Sequence, residues 1–113
     1  MRRFQKNKFK NKRVEYDGIM FDSKKERDYY VKLKLRQRAG EIFSFECQPV
    51  FKFPMPRCAY RADFRVTYWD EGKQIEEIID VKSAFTKDNP VYKLKIKMLK
   101  YFYPEVNFKE VVL

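Results

Sequence analysis

Between Tyr60 and Trp69 apolar and polar residues alternate. Tyr60, Ala62, Phe64, Val66 and Tyr68 fall on one side of an extended chain, and Arg61, Asp63, Arg65 and Thr67 on the other. This predicts a half-buried strand. Asp70-Glu71-Gly72-Lys73 supplies a turn, and Gln74 to Lys82 reads as the returning strand, with Ile75, Ile79 and Val81 together. With Glu71 and Gly72 as the loop, Tyr68 lies opposite Ile75, Phe64 opposite Ile79 and Ala62 opposite Val81. A slip of one residue would set this apolar series against the polar face, so the pattern itself selects the register. Asp63 is then expected opposite Asp80.

The segment from Ser23 to about Arg38 has helical spacing, with Glu26, Tyr29, Tyr30, Leu33 and Gln37 along one side and Gly40 as the C-cap. A second helix is predicted to open at Asp88-Asn89-Pro90, to carry Val91, Leu94, Met98 and Tyr101 or Phe102 as its apolar side, and to end before Pro104. Val14 to Phe21 predicts a short strand or hairpin turning at Asp17-Gly18. Ile42 to Phe45 and Val50 to Phe53 read as one strand interrupted by Gln48-Pro49 and closed by Pro54 and Pro56, and Val106 to Leu113 as a last strand. The expected fold class is α/β in the α+β sense: one domain over residues 14–113, a mixed central sheet flanked by helices. A second core does not fit in 113 residues.

Charge adds a partner class. Lys and Arg outnumber Asp and Glu by 26 to 16, for a net charge of +10, and so basic a surface ordinarily faces a polyanion such as nucleic acid. Seven of the positive charges, Arg2, Arg3, Lys6, Lys8, Lys10, Lys12 and Arg13, stand in the first thirteen residues without an acid. That run predicts a flexible basic arm that meets phosphate, or a solubilising tail. No apolar run is long enough to span a membrane, and Met1-Arg2-Arg3 is not followed by a secretory apolar stretch, so no membrane partner and a cytoplasmic location are expected. Cys47 and Cys58 are expected as free thiols.

Histidine is absent, which excludes Ser-His-Asp and Cys-His catalysis and His-containing zinc sites. Any catalysis must use carboxylates, lysines and a hard metal ion. Opposed residues of an antiparallel pair have Cβ atoms roughly 4.5–5.5 Å apart, so Asp63 and Asp80 need a neutralising cation. A divalent ion fits, and so does a salt-bridge cluster with Lys82, Arg61 or Arg65. Glu26 also has two readings. Ser23-Lys24-Lys25-Glu26 matches a capping box, while the stripe shared with Tyr30 and Leu33 aims Glu26 at the sheet. Lys82 follows Asp80 by two residues and shares its side of the strand.

With these residues in place, the stretch from Ser23 to Leu113 resembles the PD-(D/E)xK nuclease superfamily, whose core runs α-β-β-β-α-β. Glu26 falls on its leading-helix acid, Asp63 on the second-strand acid, and Asp80-Val81-Lys82 on its acid-x-Lys triplet. Tyr16-Asp17-Gly18, Phe21-Asp22-Ser23-Lys24-Lys25-Glu26, Gln48-Pro49, Ala62-Asp63-Phe64 and Tyr92-Lys93-Leu94 add a likeness to small phage-encoded nucleases related to Holliday-junction resolvases. Asp80 stands where many such proteins have Glu, and Glu76 and Glu77 lie nearby.

The resemblance implies a restriction-endonuclease-like core and cleavage of branched DNA with Mg²⁺ or Mn²⁺. It implies a metal site comprising Glu26, Asp63, Asp80 and Val81, catalytic roles for Glu26, Asp63, Asp80 and Lys82, and no organic cofactor. It also implies a homodimer, for which Phe43, Phe45, Phe51, Phe53 and Tyr101-Phe102-Tyr103 are candidate interface residues. Lys93 and Lys97, on the lysine-rich second helix, join the arm as candidate phosphate contacts. The competing readings are a non-enzymatic DNA- or RNA-binding protein, and a nuclease of the same fold that acts on flaps or linear ends.

Overall fold

Asp17 and Gly18 take φ values of 54° and 75°, the left-handed pair that a two-residue hairpin turn requires. They join β1 (Val14–Tyr16) to β2 (Ile19–Phe21), as predicted. This hairpin comes first in a computed structural model that describes residues 12–113. The expected arm contacts at Arg2, Arg3, Lys6, Lys8 and Lys10 lie outside the described residues.

Ser23 caps α1 (Lys24–Arg38) by accepting from the Glu26 backbone N–H at 3.1 Å. Glu26, Tyr29, Tyr30 and Leu33 are buried, and they form the predicted stripe. Gln37 is exposed instead, its amide donating to the Phe43 carbonyl at 3.2 Å. The C-cap is Ala39, and Gly40 takes the left-handed position after it at φ 83°.

Four strands form one sheet in the order β3 (Ser44–Cys47), β6 (Phe64–Asp70), β7 (Lys73–Lys82), β8 (Phe108–Val112). The first three are antiparallel and β8 runs parallel to β7, so the sheet is mixed and the fold is α+β. α2 (Pro90–Phe102) is capped by the Asn89 side chain, with Pro90 in its first turn as predicted. One face of the sheet, with Phe64, Val66, Ile79 and Val81, packs on α1 and Phe21. A second cluster of Phe51, Phe53, Tyr60, Ala62, Ile78 and Leu99 includes the inward side of α2.

Three sequence expectations need correction. The proposed interrupted strand divides between two sheets. β3 joins the main sheet, whereas β4 (Val50–Lys52) pairs with β5 (Ala59–Arg61), because Gln48 at φ 57° and buried Pro49 redirect the chain. The strand expected from Tyr60 to Trp69 likewise breaks at Ala62–Asp63. The predicted register holds from Asp70–Lys73 to Phe64–Ile79. Beyond it the Asp63 N–H bonds the Ile79 carbonyl at 3.1 Å, one residue short of Asp80, and Ala62 N–H turns to the Pro49 carbonyl at 3.0 Å. Tyr60 and Ala62 therefore pack in the second cluster, away from Phe64 and Val66.

The third correction is the orientation of α2. Of its predicted apolar side, Met98 packs against the second cluster, but Val91, Leu94 and Tyr101 are 65%, 57% and 77% exposed, while Leu99 is fully buried. The helix is apolar on two sides, and hydrogen bonds decide between them: Lys95 donates to the Ala59 carbonyl and the Tyr103 hydroxyl to the Lys52 carbonyl. Phe51 and Phe53 are core residues rather than interface candidates, and Phe45 packs against the core. Both cysteines are free. Among the described residues no helix is long and apolar enough to cross a membrane.

Candidate functional site

The break at Ala62–Asp63 puts Asp63 at the end of the sheet, between the two layers. Because β6 has left the regular ladder there, Val81 N–H has no backbone acceptor opposite and donates to Asp63 Oδ2 at 2.7 Å. Val81 thus contributes a backbone bond that orients Asp63, and its side chain is buried. Asp80, one residue earlier on β7, points to the opposite side from Ile79 and Val81 and is 1% exposed. Tyr60 on β5 donates its hydroxyl to Asp80 Oδ2.

Glu26 reaches the same region from α1. Its Oε1 accepts from the Asp22 N–H at 3.1 Å, while its own N–H bonds Ser23 Oγ. Glu26 thus braces the entry to α1 through the Asp22 N–H, one residue ahead of the Ser23 N–H that the expected capping box would use, and its charge bears on the Asp63 carboxyl. The Asp80 charge bears on Asp63 as well, so the structure sets the three acids singled out in the sequence near one another. Among the described residues the three do not already surround a common ligand position.

Protonation follows from this crowding. Burial first, then the Asp80 and Glu26 charges, raise the Asp63 pKa from 3.8 to about 9, against the opposing Val81 N–H bond. Burial also raises that of Glu26, with the Asp22 N–H opposing. The Tyr60 hydroxyl is raised well above its usual range by burial and by the adjacent Asp80 charge. Of the three candidate neutralising cations, Lys82 is the one paired with Asp80, its Nζ 3.0 Å from Oδ1. That contact is not aligned as a hydrogen bond, and Asp80 Oδ1 is a buried oxygen without one. Arg61 pairs with Asp22 at 2.9 Å, and Arg65 with Glu46 at 3.2 Å. Glu76 pairs with Arg65 at 3.9 Å and Glu77 accepts from Tyr68 at 3.2 Å, so both are engaged elsewhere on β7.

Lys93 and Lys97 line an open groove of about 660 Å³ with Lys87, Tyr92 and Glu110. Lys93 shares Asp88 with Lys87, at 3.8 and 3.4 Å. Lys12 and Arg13 are exposed ahead of β1, and Arg13 lies 3.7 Å from Asp22. Sequence reasoning missed Tyr60, whose hydroxyl belongs to the site because the chain kinks just after it. Tyr92 and Glu110, which meet through a 2.7 Å hydrogen bond, had no sequence signal beyond the former's place in the Tyr92-Lys93-Leu94 triplet.

The fold and the site define an α+β protein with two buried carboxylates, Glu26 and Asp80, near the half-buried Asp63 and Lys82 at the end of a mixed sheet. The chain belongs to the family described as Protein of unknown function (DUF1064), which matches residues 6–112. Comparisons with curated proteins and with solved structures give no match.

Proposed function

We propose that this protein is a metal-dependent DNA endonuclease of the PD-(D/E)xK type, acting in the cytoplasm on branched DNA. The observation that carries this reading is the burial of Glu26 and Asp80 near an Asp63 carboxylate that the Val81 N–H holds in place, beside a buried Asp80 oxygen that lacks a hydrogen bond. The element order α1, β3, β6, β7, α2, β8 supports it.

The donor set fits Mg²⁺ or Mn²⁺. It is all oxygen, as hard cations require, and burial, then the Asp80 and Glu26 charges, raise the Asp63 pKa to about 9, so a cation would displace a proton there. Asp63, Asp80 and Glu26 would hold the ion, with the Val81 position completing the implied set. When bound, such an ion lowers the pKa of a coordinated water and polarises a phosphoryl oxygen. Asp63, oriented by the Val81 N–H, supplies one carboxylate. Asp80 is fixed through Tyr60, and Lys82 holds a positive charge next to it that offsets charge gathering on phosphate. Lys93, Lys97 and the basic arm bind the DNA backbone. Paired nicks across a four-way junction need two such sites, so the active form is a homodimer. Phe43, Tyr101 and Phe102 are the interface candidates that remain exposed.

The test compares cleavage of four-way, flap, single-stranded and linear duplex DNA with Mg²⁺, using wild type and Asp80→Asn. Junction cleavage by wild type alone is the expected result; cleavage of no substrate sinks the proposal. One observation favours a non-enzymatic DNA- or RNA-binding protein: Lys82 already pairs with Asp80 at 3.0 Å, as in a structural ion pair. Calorimetry separates the two, since that alternative has no Mn²⁺ site lost in Asp63→Asn.

A further inference from the structure

Lys82 is gripped from two sides. Besides the Asp80 contact, its Nζ stands 4.6 Å from the centroid of the Tyr92 ring, within the range where an ammonium is attracted to an aromatic face. Two other lysines lie over tyrosine rings at longer distances, Lys34 over Tyr30 at 5.7 Å and Lys32 over Tyr29 at 6.0 Å.

The Tyr92 ring is anchored at both ends. Its backbone N–H bonds the Asn89 cap at 3.1 Å, which fixes it in the first turn of α2. Its hydroxyl donates to Glu110 Oε1 on β8 at 2.7 Å. Glu110 is paired across the parallel ladder with Asp80, so the strand that carries Glu110 keeps step with the strand that carries the acid. A contiguous chain of contacts thus runs Glu110–Tyr92–Lys82–Asp80–Tyr60 and spans four elements. A lysine on a flexible four-carbon stem otherwise loses its orientation readily to solvent.

We propose that Tyr92 is a positioning residue whose ring face holds the Lys82 ammonium beside Asp80. This rests on Lys82 acting on phosphate as proposed above, but the contact itself is testable without catalysis. The ring face supplies the hold, and the Asn89 cap on the residue's backbone N–H fixes where the ring leaves α2. Tyr92→Phe therefore retains most of the effect, whereas Tyr92→Leu removes it.

The test has two arms. In the first, NMR of the protein with ¹³C-labelled lysine reads the ε-methylene protons, with Lys82→Ala assigning the Lys82 signal. A Lys82 resonance moved upfield by the ring current, kept in Tyr92→Phe and lost in Tyr92→Leu, is expected. An ordinary Lys82 shift in wild type overturns the proposal. In the second arm, Mg²⁺-dependent cleavage by Tyr92→Leu should show kcat lowered on the order of tenfold with KM unchanged, and Tyr92→Phe should stay close to wild type. Turnover by a folded Tyr92→Leu equal to wild type overturns the positioning role. If Tyr92→Leu does not fold, the wild-type spectrum and Tyr92→Phe still decide, because loss of the upfield shift in Tyr92→Phe contradicts a hold supplied by the ring. Absence of cleavage by wild type together with the upfield shift defeats the nuclease reading and leaves the Tyr92 grip on Lys82 standing.

Discussion

The Tyr60 hydroxyl donates to Asp80 Oδ2, which ties the most buried acid of the site to the second core cluster. One oxygen of Asp80 is thereby committed to the interior, and the other faces Lys82 at 3.0 Å. Removing the donor leaves a buried carboxylate oxygen without its partner. Tyr60→Phe is therefore expected to lower stability by about 1–3 kcal/mol, read from urea unfolding. A loss below about 0.5 kcal/mol, the level typical of an inert surface change, would mean that the bond is not formed.

The two aspartates have separable effects on cleavage and binding. Asp63→Asn and Asp80→Asn each take a negative charge from beside the phosphate path, so cleavage should vanish while DNA affinity holds or rises. Lys82→Ala should also lose cleavage, with affinity slightly reduced. Gel-shift titration alongside a Mg²⁺ cleavage assay checks this; normal turnover by either aspartate variant removes the site from consideration.

Stability without divalent ions should fall as pH rises. The Asp63 pKa is raised in the fold from 3.8 to about 9, so its proton is held more tightly in the folded than in the unfolded chain. The associated stability is complete below about 4 and is lost progressively as pH rises towards 9. Glu26 shifts in the same sense. A bound cation competes with these protons, so stabilisation by Mg²⁺ should grow over the same range. Urea midpoints from pH 5 to 9, with and without Mg²⁺, measure both trends. Asp63→Asn should flatten each, and a wild-type profile without slope would contradict the raised pKa.

Much of this was legible because single-sided patterns leave little choice. The hairpin register came from the apolar pairs Tyr68–Ile75 and Phe64–Ile79, and the observed pairing is the same. The caps at Ser23 and Asn89 were readable because their side chains bond locally. The kink at Ala62–Asp63 was not readable, since alternation continues through it. It depends on Pro49 and β4, which are distant in sequence and compete for Ala62 N–H. The expected pairing of Asp63 with Asp80 across the hairpin does not form: the ladder ends at Phe64–Ile79, and the Asp63 carboxylate bonds the N–H of Val81, the residue after Asp80.

Glu26 can be divided into its two roles by choice of substitution. Glu26→Gln keeps an oxygen for the Asp22 N–H and removes a buried charge, so the melting temperature should hold or rise while Mn²⁺ affinity and cleavage fall. Glu26→Ala loses the bond from the Asp22 N–H too and should cost about 0.5–2 kcal/mol. Calorimetric metal titration with thermal unfolding distinguishes them. Unchanged metal affinity in Glu26→Gln would leave Glu26 with the Asp22 bond as its sole role.

Helix α2 offers the sharpest contrast between periodicity and packing. Leu94 and Leu99 have the same side chain on the same helix, and the sequence pattern assigns Leu94 to the core. In the fold Leu94 is 57% exposed, whereas Leu99 is fully buried among Tyr60, Ile78 and Phe53. Truncating a buried leucine removes its transfer free energy and leaves a cavity, so Leu99→Ala should cost about 2–5 kcal/mol. Leu94→Ala opens no cavity and should fall within about 0.5 kcal/mol of wild type. Paired urea titrations of the two variants, compared by midpoint at equal slope, read the difference directly. Equal losses, or a larger one at Leu94, would mean that α2 is rotated towards its Val91–Leu94 side. Lys95 would then have to leave the Ala59 carbonyl and Tyr103 the Lys52 carbonyl, and Tyr92 would turn away from Lys82.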